Sequence, residues 1–91
     1  MLHLLAYDIA FDKRLRRVAR ICEDYGIRVE KSVFECDLDE KDFATMWKRL
    51  SNAVQTEVDR VIDYPIGLLD RKCIRSLGNY QHREKPLTLV F

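Results

Sequence analysis

Two features of the sequence carry chemistry: a single carboxylate, Asp8, closing an apolar run, and the cations Lys13, Arg14, Arg16, Arg17 and Arg20 shortly after it. Asp8 has two readings. It accepts hydrogen bonds from the N–H groups of the following loop, or it is placed as a ligand for something cationic. One carboxylate is a poor Mg²⁺ site, because Mg²⁺ wants octahedral oxygen ligation, commonly one or two carboxylates completed by waters and substrate phosphates. Two Asp8 side chains across a dimer axis fit that description, and two crowded carboxylates have reason to take up a cation between them. Tyr7, beside Asp8, is suited to packing at the strand end or to stacking on a base, and packing is favoured.

The cations fall on a helical pattern. Leu15, Val18, Ala19, Cys22 and Tyr25 mark one apolar face, and on a helical wheel all five cations are expected opposite it. Such a stripe is commonly a solvated surface. Arginines also make bidentate contacts to phosphate oxygens, which position a nucleic acid without reading its sequence. Arg28 is placed to extend the patch towards Asp8. His3 and His82 have no partner at ligand spacing and are expected to be structural or surface residues. No glycine-rich phosphate loop, nucleophile elbow or paired Cys/His nucleophile is present.

The elements that must position these residues can be read in order. Residues 1–10 form a buried central strand, since apolar residues of both parities imply two covered faces. A basic helix follows, with Asp12 as N-cap and Gly26 just past its end. Ile27 and Val29 keep one parity while Phe34, Cys36 and Leu38 keep the other. The flip falls near Lys31 and Ser32 and means a tight turn or a bulge, so residues 28–38 are a short hairpin or one sharply bent strand, with two short strands favoured. A second helix starts after Asp39, which can cap it, with Phe43, Met46, Trp47, Leu50 and Val54 on its core face. A last strand runs over 58–66, with Val58, Ile62, Tyr64 and Ile66 on one parity and Pro65 marking the end of regular pairing or an edge.

This order predicts an α+β fold: a ferredoxin-like βαββαβ sandwich over residues 1–66, two helices on one face of a four-stranded antiparallel sheet. The uncovered face is apolar enough to call for burial by a second protomer, hence a homodimer. Residues 67–91 form a tail in the same single domain. Its terminal run, 87–91, is a spare strand suited to docking on a dimer mate or another partner.

At 91 residues, 47% hydrophobic and 34% charged, the chain is one ordinary globular domain. A net charge of +1 argues against a simple basic tail. No apolar run approaches the ~20 residues of a membrane helix. The N-terminus opens into a strand pattern rather than an export signal, so a cytoplasmic location is expected. Cys22, Cys36 and Cys73 are odd in number and widely spaced, which predicts buried reduced thiols.

Four segments, in this order and spacing, give a specific resemblance: Leu4-Leu5-Ala6-Tyr7-Asp8-Ile9, Asp12-Lys13-Arg14, Glu23-Asp24-Tyr25-Gly26, and the run from Arg28 to Cys36. Together the chain resembles the small CRISPR-associated adaptation protein family, the second of the two universal Cas proteins, over essentially its whole length. The resemblance implies a ferredoxin-like homodimer and a Mg²⁺-dependent nuclease site of paired Asp8 residues at the dimer interface. It also implies assembly with the CRISPR integrase during spacer acquisition. By motif position it gives the metal role to Asp8 and supporting roles to Tyr7, Arg17, Arg28 and Phe34. Leu15 departs from the pattern, where many members carry another basic residue.

Two functions are expected on these grounds. One is an endonuclease acting on RNA or duplex DNA, with Asp8 and Tyr7 at the reacting centre and Arg14, Arg16, Arg17, Arg20, Arg28 and Phe34 holding nucleic acid. The other is a non-catalytic, DNA-binding scaffold of the integrase complex. An RNA-recognition module, a weaker reading, would stack bases on exposed sheet aromatics; Phe34 is the main candidate but is expected to be buried.

Overall fold

The computed structural model describes residues 1–78; the expected strand at 87–91, and His82, lie outside the described residues. Four strands form one antiparallel sheet in the order β2-β3-β1-β4: β1 (Leu2–Asp8), β2 (Ile27–Glu30), β3 (Val33–Asp37) and β4 (Arg60–Ile66). Two helices, α1 (Asp12–Tyr25) and α2 (Glu40–Ala53), cross between them, which gives the expected βαββαβ order. None of the described helices is long and apolar enough to cross a membrane.

Register decides which residues face the helices. Leu5 pairs with Phe34 on β3 and with Asp63 on β4, and directly opposed residues point to the same side. Leu5, Phe34 and Cys36 are therefore buried beneath α1 and α2, against Val18 and Cys22 of the first and Met46 and Leu50 of the second. The alternate residues line the other side: Leu4, Ala6 and Ile62 are only half-buried there, and Tyr64 is 50% exposed. One face is thus closed by helices, and β4, carrying Pro65, is an edge strand as expected.

Several boundaries differ from those expected. Asp12 is the first residue of α1 rather than its cap; Phe11 holds the N-cap position and makes no side-chain capping bond. By contrast, the Asp39 side chain accepts from the Asp42 N–H at 2.8 Å and caps α2 as predicted. β4 starts at Arg60, and Val58 is 59% exposed in the turn before it, where its N–H donates to Gln55 O. Trp47, expected in the core, sits at its margin, 36% exposed and stacked on Phe43. After β4 a short helix, α3 (Leu68–Arg71), turns the chain back, and Arg71 donates to Asp37 Oδ2 at 2.8 Å. Cys22 and Cys36 are buried thiols that burial pushes up to about 12, whereas Cys73 is exposed.

Gly26 ends α1 for a reason other than a left-handed turn. Its backbone is extended, at φ −160°, and its N–H still donates to Cys22 O. A Cβ here would overlap Glu35 O and Cys36 Sγ and lie 3.0 Å from the Glu35 carbonyl carbon. Glu35 is held in the ladder opposite Ile27, so the backbone cannot retreat without disturbing the sheet. Gly26→Ala is expected to cost about 1–3 kcal/mol from overpacking, measured as a lower urea midpoint with unchanged slope.

Candidate metal and nucleic-acid site

Asp8 is the last residue of β1 and faces the side of the sheet that the helices leave open, exposed, in register with Arg60 of β4. Ala6, Tyr7, Ile62 and these two residues line a shallow concavity at that end of the sheet. The Asp8 carboxylate makes no hydrogen bond or ion pair with another described residue.

The structural duty expected as one reading of Asp8 is carried by a different acid. Asp59, just before β4, has a fully enclosed side chain. Its Oδ1 accepts from the Ala10 N–H at 2.9 Å and its Oδ2 from the Gln55 N–H at 2.9 Å. Arg14 completes the arrangement, with Nε donating to Oδ2 at 2.8 Å and a terminal nitrogen to Oδ1 at 3.3 Å. These bonds, Arg14 first and then Ala10 and Gln55, hold the Asp59 carboxyl well below the usual carboxylate range. One carboxylate therefore ties the β1–α1 loop, the end of α2 and the start of β4 together. Asp8 is left with no such work.

This arrangement corrects the expected cationic patch. On a wheel of about 100° per residue, Arg14 lies only about 40° from Val18, at the border of the apolar face rather than opposite it. Its guanidinium is committed to Asp59 and sits 5.4 Å above the Phe11 ring. Lys13, Arg16, Arg17 and Arg20 are exposed and remain a patch of four.

The other expected residues divide between the faces. Tyr7 neighbours Asp8 in sequence but faces the helices; it is 6% exposed, packs on Phe34 at 6.2 Å, and burial raises its pKa. Phe34 is fully buried, so no base can stack on it in this fold, and its work is packing. Arg28 is opposite Phe34 in the ladder, with its guanidinium 5.1 Å over that ring and 3.6 Å from Glu23. It stands on the helix side of the β2 edge and does not reach across to Asp8's face. His3, expected to be a structural or surface residue, is structural: its Nδ1 and Asp63 Oδ1 share a hydrogen bond at 2.8 Å and its ring stacks on Phe43 at 4.2 Å. Both Asp63 and Arg60 became visible as partners only through the β1–β4 register. The sole sequence signal was their position in the last strand.

The donor set bears on a metal directly. Among the described residues, no group of three or more His, Cys, Asp or Glu side chains is placed to hold an ion. Among the described residues Asp8 therefore has no ligand cluster around it within one chain, and it fits Mg²⁺ only if a second carboxylate is added.

The chain matches the family model described as CRISPR associated protein Cas2 over residues 1–75. It belongs to the Cas2 family. A relative from Nitratidesulfovibrio vulgaris, named CRISPR-associated endoribonuclease Cas2, is 39% identical over 86% of this chain and 81% of its own length. One from Chlorobaculum tepidum, with the same name, is 38% identical over 99% of each chain. A third, from Halalkalibacterium halodurans and named CRISPR-associated endonuclease Cas2, is 38% identical over 74% of this chain and 75% of its own. Among solved structures, Streptococcus pyogenes Cas2 superposes with a TM-score of 0.75 at 35% identity, covering 86% of this chain and 100% of that one. The ferredoxin-like architecture and the family expected from the four sequence segments are both in place.

Proposed function

We propose that this Cas2-family chain is a Mg²⁺-dependent endonuclease of CRISPR spacer acquisition, cleaving RNA or duplex DNA in the cytoplasm as a homodimer and working with the CRISPR integrase. The observation that carries this reading is the division of labour between two acids. Asp59 satisfies the loop, and Asp8 stands exposed and unengaged at the end of an open sheet face. A second copy laid on that face would cover Leu4, Ala6, Ile62 and Tyr64 and bring a second Asp8 near the first. The paired carboxylates would hold the ion, which when bound neutralises charge on the scissile phosphate and acidifies a water. Arg60, in register with Asp8, supplies a cation where a phosphate would lie. The names of relatives as endoribonucleases and endonucleases agree with this chemistry.

A non-catalytic scaffold is the second reading, favoured by one specific observation. The free cations of α1 stand on the helical layer, on the other side of the sheet from Asp8's face. Cleavage of labelled RNA and duplex DNA in Mg²⁺, then in EDTA, then with Mg²⁺ restored, separates the two readings. The nuclease is expected to lose activity on chelation and regain it, with a dimer in light scattering. Cleavage indifferent to EDTA, or a monomer throughout, would sink it. Binding without cleavage would leave the scaffold.

A further inference from the structure

The sheet holds Asp8, the last residue of β1, from one side only. Towards β3 the ladder ends at Ala6, opposite Val33, with one further bond from the Tyr7 N–H to Ser32 O at 3.1 Å. Towards β4, Asp8 pairs with Arg60, the residue directly after Asp59. We propose that Asp59 and Arg14 are positioning residues for the Asp8 carboxylate: they clamp the chain that follows Asp8 and the strand opposite it, and so set where a divalent cation can be held.

The clamp is a short closed circuit. Asp8 lies opposite Arg60, Arg60 follows Asp59, Asp59 Oδ1 accepts from the Ala10 N–H at 2.9 Å, and Ala10 is two residues beyond Asp8. Asp59 is itself a fixed post. Its N–H donates to Gln55 O at 2.8 Å while its Oδ2 accepts from the Gln55 N–H at 2.9 Å, closing a turn after α2. Arg14 holds the same carboxylate through two donors from the first turn of α1, and a two-point guanidinium contact fixes orientation as well as distance. Ile9, between Asp8 and Ala10, is packed into the core and leaves the segment little slack.

A shared ion tolerates little error in where its ligands stand. Mg²⁺ takes oxygens at about 2.0–2.1 Å, and a working site has to be held within about 0.5 Å by the groups that support it. The Asp8 side chain bonds to no other described residue, so its backbone is what places the carboxylate. In two copies related by a two-fold axis the same displacement occurs in both, and the separation of the paired carboxylates changes by the sum.

This inference rests on the paired-Asp8 metal site of the proposed function. It is tested without substrate, by the EPR signal of free Mn²⁺, an ion that shares the octahedral oxygen preference of Mg²⁺. The ion is titrated into the full chain well below each variant's melting temperature. Asp59→Asn and Arg14→Gln are each expected to weaken Mn²⁺ binding about tenfold, the lower end of what losing an outer partner costs a metal site. The two substitutions change net charge in opposite directions, so through-space charge alone would weaken binding in the first and tighten it in the second. Gly26→Ala, crowded beside Glu35 and Cys36 and away from Asp8, is expected to stay within about twofold of wild type. An unchanged or tightened affinity in Arg14→Gln would overturn the inference, as would an unchanged affinity in Asp59→Asn or an equal loss in Gly26→Ala. Should Asp59→Asn fail to fold, Arg14→Gln decides alone. Mn²⁺ binding that is equal in Asp8→Asn and wild type, or missing from wild type, would instead remove the metal site and the clamp's role with it.

Discussion

Asp8→Asn is expected to lower Mg²⁺-dependent cleavage at least about 100-fold while leaving the melting temperature within about 3 °C of wild type. The activity loss follows from ligand chemistry. Asparagine keeps the size of the side chain but removes the charge, and disturbing even an outer partner of a metal ligand commonly costs 10–100-fold. The unchanged stability follows from the structure, since Asp8 is exposed and bonds to no other described residue, and such substitutions rarely move stability much. Cleavage and thermal melts on the same preparations check both halves. Equal cleavage by the two proteins would identify a contaminating nuclease. A large drop in melting temperature would return Asp8 to a structural role.

Asp59→Ala is the mirror image, with a large loss of stability expected. Removing this carboxylate strands the Ala10 and Gln55 N–H groups and leaves the Arg14 guanidinium without its partner. Breaking an enclosed charge pair from one side is among the more damaging single changes, and a fall in melting temperature on the order of 10–20 °C is expected. The same site sets an acid dependence. The folded-state pKa of Asp59 is depressed, so its stabilisation is complete above the ordinary carboxyl value of about 4 and drains away as pH falls below it towards the folded-state value. Melting temperatures of wild type should therefore fall as pH is lowered from about 4, and Asp59→Asn should show a flatter dependence there. Parallel pH profiles for the two proteins would assign the acid sensitivity to other carboxylates.

Much of the fold was legible because it rests on periodicity. The apolar spacing of α1 and α2 places both helices, and the parity flip at Lys31 and Ser32 is the β2–β3 turn, with the bulge falling between Arg28 and Glu30. Asp39 was legible as a cap because an N-cap is a local bond. Gly26 was legible as the end of α1, but its cause was not, since the crowding comes from β3, nine residues further along the chain. Arg14 was misplaced because a stripe drawn by residue type counts every cation as solvent-facing. An arginine at the border of an apolar face can instead turn inward when a buried acid awaits it.

Asp8 could be singled out from residues 1–10 alone, as a carboxylate closing a buried strand, since alternation and hydrophobicity are properties of neighbouring residues. Its freedom could not. That depends on Asp59, 51 positions away, reaching the Ala10 N–H first, and on the β1–β4 register that puts Arg60 beside Asp8. Likewise the cations of α1 are written in its sequence, but Arg14 is drawn out of their patch only because the fold brings Asp59 beside it. Local spacing determines elements and the faces they carry. Which polar group satisfies which, and which is left for a ligand, is decided by long-range packing, because a buried donor takes whatever acceptor the fold brings within about 3 Å.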